Sequence, residues 1–297
     1  MNLNRKDFIL SGGAFAASFI GNAAANDGDA VRFGPIQREI DAVTPAAFGK
    51  YLGSGDTQEA PALVRLESAL DKVIAEVKAA DASQHPAVWL LYNMGIVVKT
   101  ASCCFSIDVM HRRGQELAPL LDFAMITHNH LDHYTQAFYR AMDGAGKTVF
   151  SSFLDNYGAH RGKDGLGGFT RRERTYDVRG VRIRTDFTDH NKYLEDFTTT
   201  FEISVGKWRL FHSGDCSNVG KLKPSRSPDL WFVHPRCGMD VVDGVRKFKP
   251  KLTAIAHLAE LGHGKWRWTL QDGLAERDRV LAAGGKATVP MWGDRVC

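Results

Sequence analysis

The stretch Thr127-His128-Asn129-His130-Leu131-Asp132-His133-Tyr134 decides how the rest of the chain is read. Three histidines and an aspartate fall within six positions, directly after an apolar run from Asp122 to Thr127. Imidazole nitrogen and carboxylate oxygen are the usual ligand atoms for divalent transition metals. A lone histidine is ordinarily a hydrogen-bonded core or surface residue. Four such groups gathered at one strand end are costly to bury unless a ligand compensates them. Positions 128 and 130 alternate, so both side chains can point to one side of an extended segment. Asp132 and His133 are expected to start the next helix and to face a second point. One short loop can then serve two metal ions.

Short strands surround this loop. Ala87 to Tyr92, Ile96 to Thr100 and Phe105 to Val109 are rich in branched and aromatic residues, with Gly95 as a break. Thr135 to Met142 reads as a helix and Thr148 to Phe153 as a strand. Two hairpins follow, Thr175 to Thr188 and Thr199 to His212, the second turning at Gly206-Lys207. Asp229 to His234, Leu252 to His257 and Ala287 to Met291 are further strands. Helices near 241–249 and 269–283 separate them. Upstream, Leu63, Leu66, Leu70, Val73 and Val77 repeat at three- and four-residue intervals, the apolar face of a helix ending near Ala80. Residues 26–60 carry Gly, Pro and Asp with little periodicity and read as irregular. The expected organisation is an export signal over 1–25, a lead-in with one amphipathic helix over 26–86, and a single hydrolase domain over 87–297.

His128-x-His130-x-Asp132-His133 resembles the signature of the metallo-β-lactamase-fold hydrolases. The resemblance continues along the chain. His190 in Thr188-Asp189-His190 matches the family's third ligand. Asp215 in His212-Ser213-Gly214-Asp215 matches its Gly-Asp pair after a hairpin. His257, after Leu252 to Ala256, matches its late histidine. Within the family the chain looks closest to the branch of L-ascorbate-6-phosphate lactonase and the N-acyl phosphatidylethanolamine phospholipases. The fold this implies is α/β, a four-layer αββα sandwich with metals at one edge of its two sheets. The resemblance implies that His128, His130 and His190 hold one divalent ion. Asp132, His133 and His257 would hold another, with Asp215 bridging. Zinc suits these donors best, and manganese or iron also fit. A water between two such ions loses a proton near neutral pH and becomes the nucleophile. Asp132 and Asp215 therefore count as catalytic as well as metal-binding. A carboxylate-bridged pair fits phosphodiesters and lactones or other esters better than β-lactams.

Other residues carry weaker expectations. His212 and His234 end strands that the resemblance brings near the metals, where either would be a general acid or would orient a ligand. His263, Trp266 and Trp268 follow His257 and are candidates to line the substrate pocket. Asn93 lies in a turn between the first strands. Cys216 follows Asp215 and reads as a buried structural thiol rather than a ligand. The loop from Asp155 to Arg174 is glycine-rich and basic, either a solvated loop or a lid that brings cations to an anionic substrate.

Composition excludes several classes. The 297 residues are 44% hydrophobic and 24% charged, so the chain is neither disordered nor a polytopic membrane protein. A net charge of +4, scattered along the chain, gives no basic arm for nucleic acid. Arg5 and Lys6, the apolar stretch Phe8 to Ile20 and Ala23-Ala24-Ala25 read as an export signal that resembles the twin-arginine type, with Lys6 in place of the second arginine, a departure that leaves the general secretory type open as well. A periplasmic or otherwise exported protein without a stable membrane anchor is expected, acting on a small, possibly anionic molecule. Two other classes stay open: an iron-dependent oxidoreductase on the same fold, and a metal-binding protein without catalysis.

Overall fold

The computed structural model describes residues 27–57, 59–153, 172–191, 193–264 and 267–297. Residues 1–25, read above as an export signal, lie outside them, as does most of the 155–174 loop. Twelve strands and six helices are present among the described residues. The first sheet comprises β1 (Ala87–Tyr92), β2 (Gly95–Lys99), β3 (Cys104–Ile107), β4 (Phe123–Met125) and β5 (Val149–Phe150), paired in that order. The second comprises β6 (Arg174–Val178), β7 (Val181–His190), β8 (Leu194–Val205), β9 (Trp208–His212), β10 (Leu230–Val233), β11 (Leu252–Ile255) and β12 (Ala287–Thr288), also paired consecutively. Each sheet is antiparallel at one side and parallel at the other.

Side-chain alternation builds the layers. In β1, Val88 and Leu90 point into the space between the sheets, while Ala87, Trp89 and Leu91 face the outer side. In β10, Leu230 and Phe232 point inward and Trp231 and Val233 outward. Both faces are therefore buried, which is why these strands read as unbroken apolar runs. Phe105 and Phe123 stack at 4.9 Å between the sheets. Outside the first sheet lie α3 (Pro61–Ala79) and α4 (Gln136–Gly144), represented in the core by Leu70, Val73 and Phe138. Outside the second lie α5 (Val241–Phe248) and α6 (Leu270–Ala282), through Val245, Leu270 and Leu274. The result is the expected four-layer αββα sandwich. Among the described residues no helix is long and apolar enough to cross a membrane.

The lead-in departs from its reading. Residues expected to be irregular form α1 (Asp27–Asp41) and α2 (Pro45–Ser54). Gly34-Pro35 inside α1 hides a three- and four-residue spacing, Phe33, Ile36 and Ile40, whose side chains are buried against the second sheet's outer core. Tertiary packing outweighs the loss of one helical donor at Pro35. The strand read at Thr148 to Phe153 shrinks to two residues. α4 begins at Gln136, capped by Thr135, so Asp132 and His133 sit in a turn before it rather than in its first turn.

Candidate metal centre

The predicted ligands meet at one end of the sandwich, where strands stop. His128 follows β4, His190 closes β7, Asp215 follows β9, and His234 and His257 follow β10 and β11. β7, β9, β10 and β11 run in the same direction, so their C-terminal ends share one edge. Two local conformations aim the ligands. Gly214 has φ +54°, and a Cβ there would lie 2.6 Å from Thr198 Cγ2. Only glycine lets the chain turn here and present Asp215. His257 itself has φ +61°, held by its N–H donating to the Asn93 carbonyl at 3.1 Å. Asn93, at φ +49° in the two-residue turn of the β1–β2 hairpin, also donates through Nδ2 to the Asp132 carbonyl at 3.3 Å. The turn former is thus also a brace for two ligands.

Among the described residues, five sets of potential donors have ligand atoms within 4.8 Å of one another: His128, His130 and His190; His128, His133 and Asp215; Asp132, His133 and His257; His190, Asp215 and Cys237; and Asp215, His234 and His257. Asp215 Oδ2 stands between them. It is 3.4 Å from His133 Nε2, 3.4 Å from His190 Nε2, 3.5 Å from His257 Nε2 and 4.0 Å from His128 Nε2. His257 Nε2 is 3.1 Å from Asp132 Oδ2. Asp215 Oδ1 and the Nε2 atoms of His128, His133 and His257 are buried without a hydrogen-bond partner. Buried polar atoms left this way ordinarily have a ligand. The donor set therefore fits divalent cations.

Hydrogen bonds set the ring tautomers. His133 Nδ1 lies 2.9 Å from Asp108 Oδ2. A carboxylate only accepts, so Nδ1 carries a proton, and Nε2 is the nitrogen left to offer a lone pair to a cation at the centre. Thr127 Oγ1 donates to the same carboxylate at 2.8 Å and lies 3.0 Å from His128 Nδ1. With its proton committed, the hydroxyl accepts from Nδ1–H, and His128 too presents an Nε2 lone pair. Asp108 was not singled out in the sequence. Its signal was an acidic residue inside the run Phe105 to Val109. Phe197 was missed as well; its ring lies 5.2–5.9 Å from those of His128, His130 and His190 and walls off that side.

Electrostatics divide the rings. Burial and the neighbouring His133 push His128 well below its ordinary value, and burial with His190 pushes His130 down to about 4. Both are neutral and ready to bind. Burial also opposes charge on His133 and His257, but the carboxylates of Asp215 and Asp132 outweigh it and raise both. Burial disfavours ionised Asp132 and Asp215, yet the surrounding histidines hold both carboxyls down.

The second-rank residues separate. His212 is fully buried, Nε2 donating to the Met94 carbonyl at 2.9 Å and Nδ1 accepting from Gly214 N–H at 3.3 Å. Both nitrogens serve the main chain, so its reading as a general acid is corrected: it holds the turn that carries Asp215. His234 does face the cavity, stacked on His257 at 4.1 Å. Arg236 N–H donates to its Nδ1 at 3.4 Å, so Nε2 carries the proton, and burial keeps the ring neutral. It is a hydrogen-bond donor rather than a strong acid. His263 and Trp268 line the same cavity of about 230 Å³, while Trp266 lies outside the described residues. Glu260 Oε2 lies 3.0 Å from His263 Nδ1, and its carboxylate raises the pKa of that ring. The main-chain oxygen of Glu260 in turn takes Arg267 Nε at 2.7 Å, and Arg267 Nη2 reaches the Val43 carbonyl beyond α1 at 2.9 Å. Of the basic loop, Arg172, Glu173 and Arg174 are described; Arg172 pairs with Asp196 and Asp186, and Arg174 lies over the Tyr176 ring.

No protein-family model matches the chain, and no curated protein does. Solved structures do. The metallo hydrolase Igni18 of Ignicoccus hospitalis is 17% identical, with a TM-score of 0.55 over 71% of this chain and 97% of that one. The metallo-β-lactamase fold protein YhfI of Bacillus subtilis is 13% identical, with a TM-score of 0.52 over 71% and 98%. CmlA, a diiron β-hydroxylase of Streptomyces venezuelae, is 13% identical, with a TM-score of 0.52 over 73% of this chain and 54% of that one. Two facing sheets between helices, with histidines and aspartates gathered at their shared edge, give this chain the metallo-β-lactamase fold.

Proposed function

We propose that this chain is an exported, binuclear metal-dependent hydrolase that cleaves a phosphodiester or a lactone or other ester. The observation that carries the reading is the position of Asp215, one buried carboxylate within 3.4–4.0 Å of histidines from both sides of the centre. His128, His130 and His190 would hold one cation, Asp132, His133 and His257 the second, and Asp215 both. Zinc is the leading choice for this set, with manganese or iron as alternatives. Bound there, two divalent cations lower the pKa of water and polarise a carbonyl or phosphoryl oxygen.

The chain's own residues supply the rest. Asp108 keeps the proton on His133 Nδ1 and, through Thr127, on His128 Nδ1. His234 directs an N–H into the cavity, where it stabilises charge developing on substrate oxygen. Arg236, His263 and Trp268 form the rim, a cationic and aromatic surround that suits a small anionic substrate. The branch of lactonases and phospholipases that the sequence resembles is part of this proposal, as is export.

The test is hydrolysis of bis(p-nitrophenyl) phosphate and of a simple lactone, by metal-loaded and chelator-treated protein, beside Asp215→Ala. Turnover that needs both metal and Asp215 supports the reading, and the substrate turned over selects the branch. A protein that carries two metals and turns over neither would remove hydrolysis. The second reading is an iron oxidoreductase. It is favoured by the likeness to a diiron hydroxylase and by ligands that are all nitrogen and oxygen in the proposed set. Oxygen uptake by the iron-loaded protein would select it.

A further inference from the structure

Of the five cysteines, four are engaged away from the centre. Cys103 and Cys104 pack in two of the cores. Cys216 is buried, its sulfur 3.1 Å from Thr188 Oγ1 and accepting from Asn218 N–H at 3.3 Å. Cys297 lies at the C-terminus against the Pro86 carbonyl. Cys237 differs. It follows His234 in the turn after β10 and lines the cavity with His190, Asp215 and His257. Its sulfur, a carboxylate oxygen of Asp215 and a ring nitrogen of His190 lie within 4.8 Å of one another. Its S–H donates to the main-chain carbonyl of Asp215 at 3.1 Å, a weak bond that is readily given up.

A second observation points to a cation at this corner. Asp215 is 4% exposed, and its Oδ1 is buried with no hydrogen-bond partner. Oxygen, nitrogen and sulfur donors thus converge on one point, and the oxygen donor, Asp215, keeps one buried carboxylate oxygen without a hydrogen-bond partner. We infer that Cys237 is an inner ligand, its sulfur binding the cation held by His190 and Asp215. The thiol proton leaves to solvent as the sulfur–metal bond forms, and no oxidation state changes. This rests on the metal-centre reading above and adds to it an asymmetry. The site beside His190 gains one soft donor, while the Asp132, His133 and His257 site has only nitrogen and oxygen. Soft donors select zinc and cadmium over manganese.

Cobalt(II) reads the sulfur directly, because thiolate ligation produces a near-ultraviolet charge-transfer band that nitrogen and oxygen donors do not. The wild-type chain loaded with Co(II) is expected to show this band. Cys237→Ser is expected to lose it while still folding, as circular dichroism would report, and Cys216→Ser to keep it. The preference of one site for Cd2+ over Mn2+ is expected to fall roughly 10- to 100-fold in Cys237→Ser, with the other site unchanged. Wild-type protein holding two Co(II) ions without the band would overturn the inference and leave the metal centre standing. A band that survives in Cys237→Ser would overturn it too. A chain that binds no Co(II) would remove the metal-centre reading itself, and this inference with it.

Discussion

Asp108 acts on two candidate ligands at once, directly on His133 and through the Thr127 hydroxyl on His128. Asp108→Ala removes the acceptor of His133 Nδ1–H and frees the Thr127 hydroxyl that accepts from His128 Nδ1–H. Metal affinity is expected to fall about 10- to 100-fold while the remaining ligands stay in place, which competition with a chromophoric chelator would show. Unchanged affinity would mean that the network orients nothing. The raised His133 and His257 make a further prediction. Without metal they hold protons near neutrality, and a cation must displace those protons to reach Nε2. Affinity should therefore rise with pH, and calorimetry in two buffers of different ionisation enthalpy should report net proton release at pH 7. Equal heats in the two buffers would contradict it. At this scale much was legible. His128, His130, Asp132 and His133 announce themselves by spacing, and Asp215 by its Gly-Asp turn. Asp108, Phe197 and Cys237 did not, because each is a single ordinary residue whose role exists only once distant strands meet. His212 and His234 looked equivalent, as histidines ending neighbouring strands, and only their hydrogen bonds separate them.

The elements hold the site through turns rather than through strand interiors. Gly214→Ala would force a Cβ against Thr198 and Thr127 at φ +54°. A loss of about 1–3 kcal/mol is expected in urea unfolding, together with weakened metal binding, since the same turn carries Asp215. Full stability would contradict the reading of that turn. His111 ties α2 and α3 to the loop after β3. Its Nδ1 accepts from Arg113 N–H at 3.0 Å, and its Nε2 lies 3.3 Å from the Leu66 carbonyl and 3.2 Å from Tyr51 Oη. Burial pushes it down to about 4. Its unfolded value is about 6.5, so below that pH the unfolded chain takes up a proton that the folded one refuses. Its share of stability is then present above about pH 6.5 and lost as pH falls toward 4, by about 3 kcal/mol. In metal-free protein, the stability gap between wild type and His111→Gln should narrow over that window. A constant gap would show that His111 does not titrate there. Helices α1 and α2 were the elements the sequence concealed, because Gly34-Pro35 breaks the local propensity that packing restores.

Across the whole molecule, strands buried on both faces gave apolar runs, and β1 to β4, β10 and β11 lie within two residues of them, whereas β5 and β12 stop three residues before the runs Thr148 to Phe153 and Ala287 to Met291 end. The alternation that assigns each side chain to a layer is invisible within such a run, and becomes readable only when helices are seen on both outer sides. The inter-sheet core should be unforgiving. Phe123→Ala removes a fully buried ring between Phe105 and Phe150 and should cost about 3–5 kcal/mol. The substrate stays with the cavity rim, where shape is set by loops rather than by the shared fold. Above all else stands the claim that one carboxylate joins two metal sites. The most direct measurement is the zinc content of purified protein after equilibrium dialysis, wild type beside Asp215→Ala. Two zinc ions per chain in the wild type, falling to one or fewer without the carboxylate, is the predicted result. A wild-type chain that retains a single ion, or a variant that retains both, would contradict it.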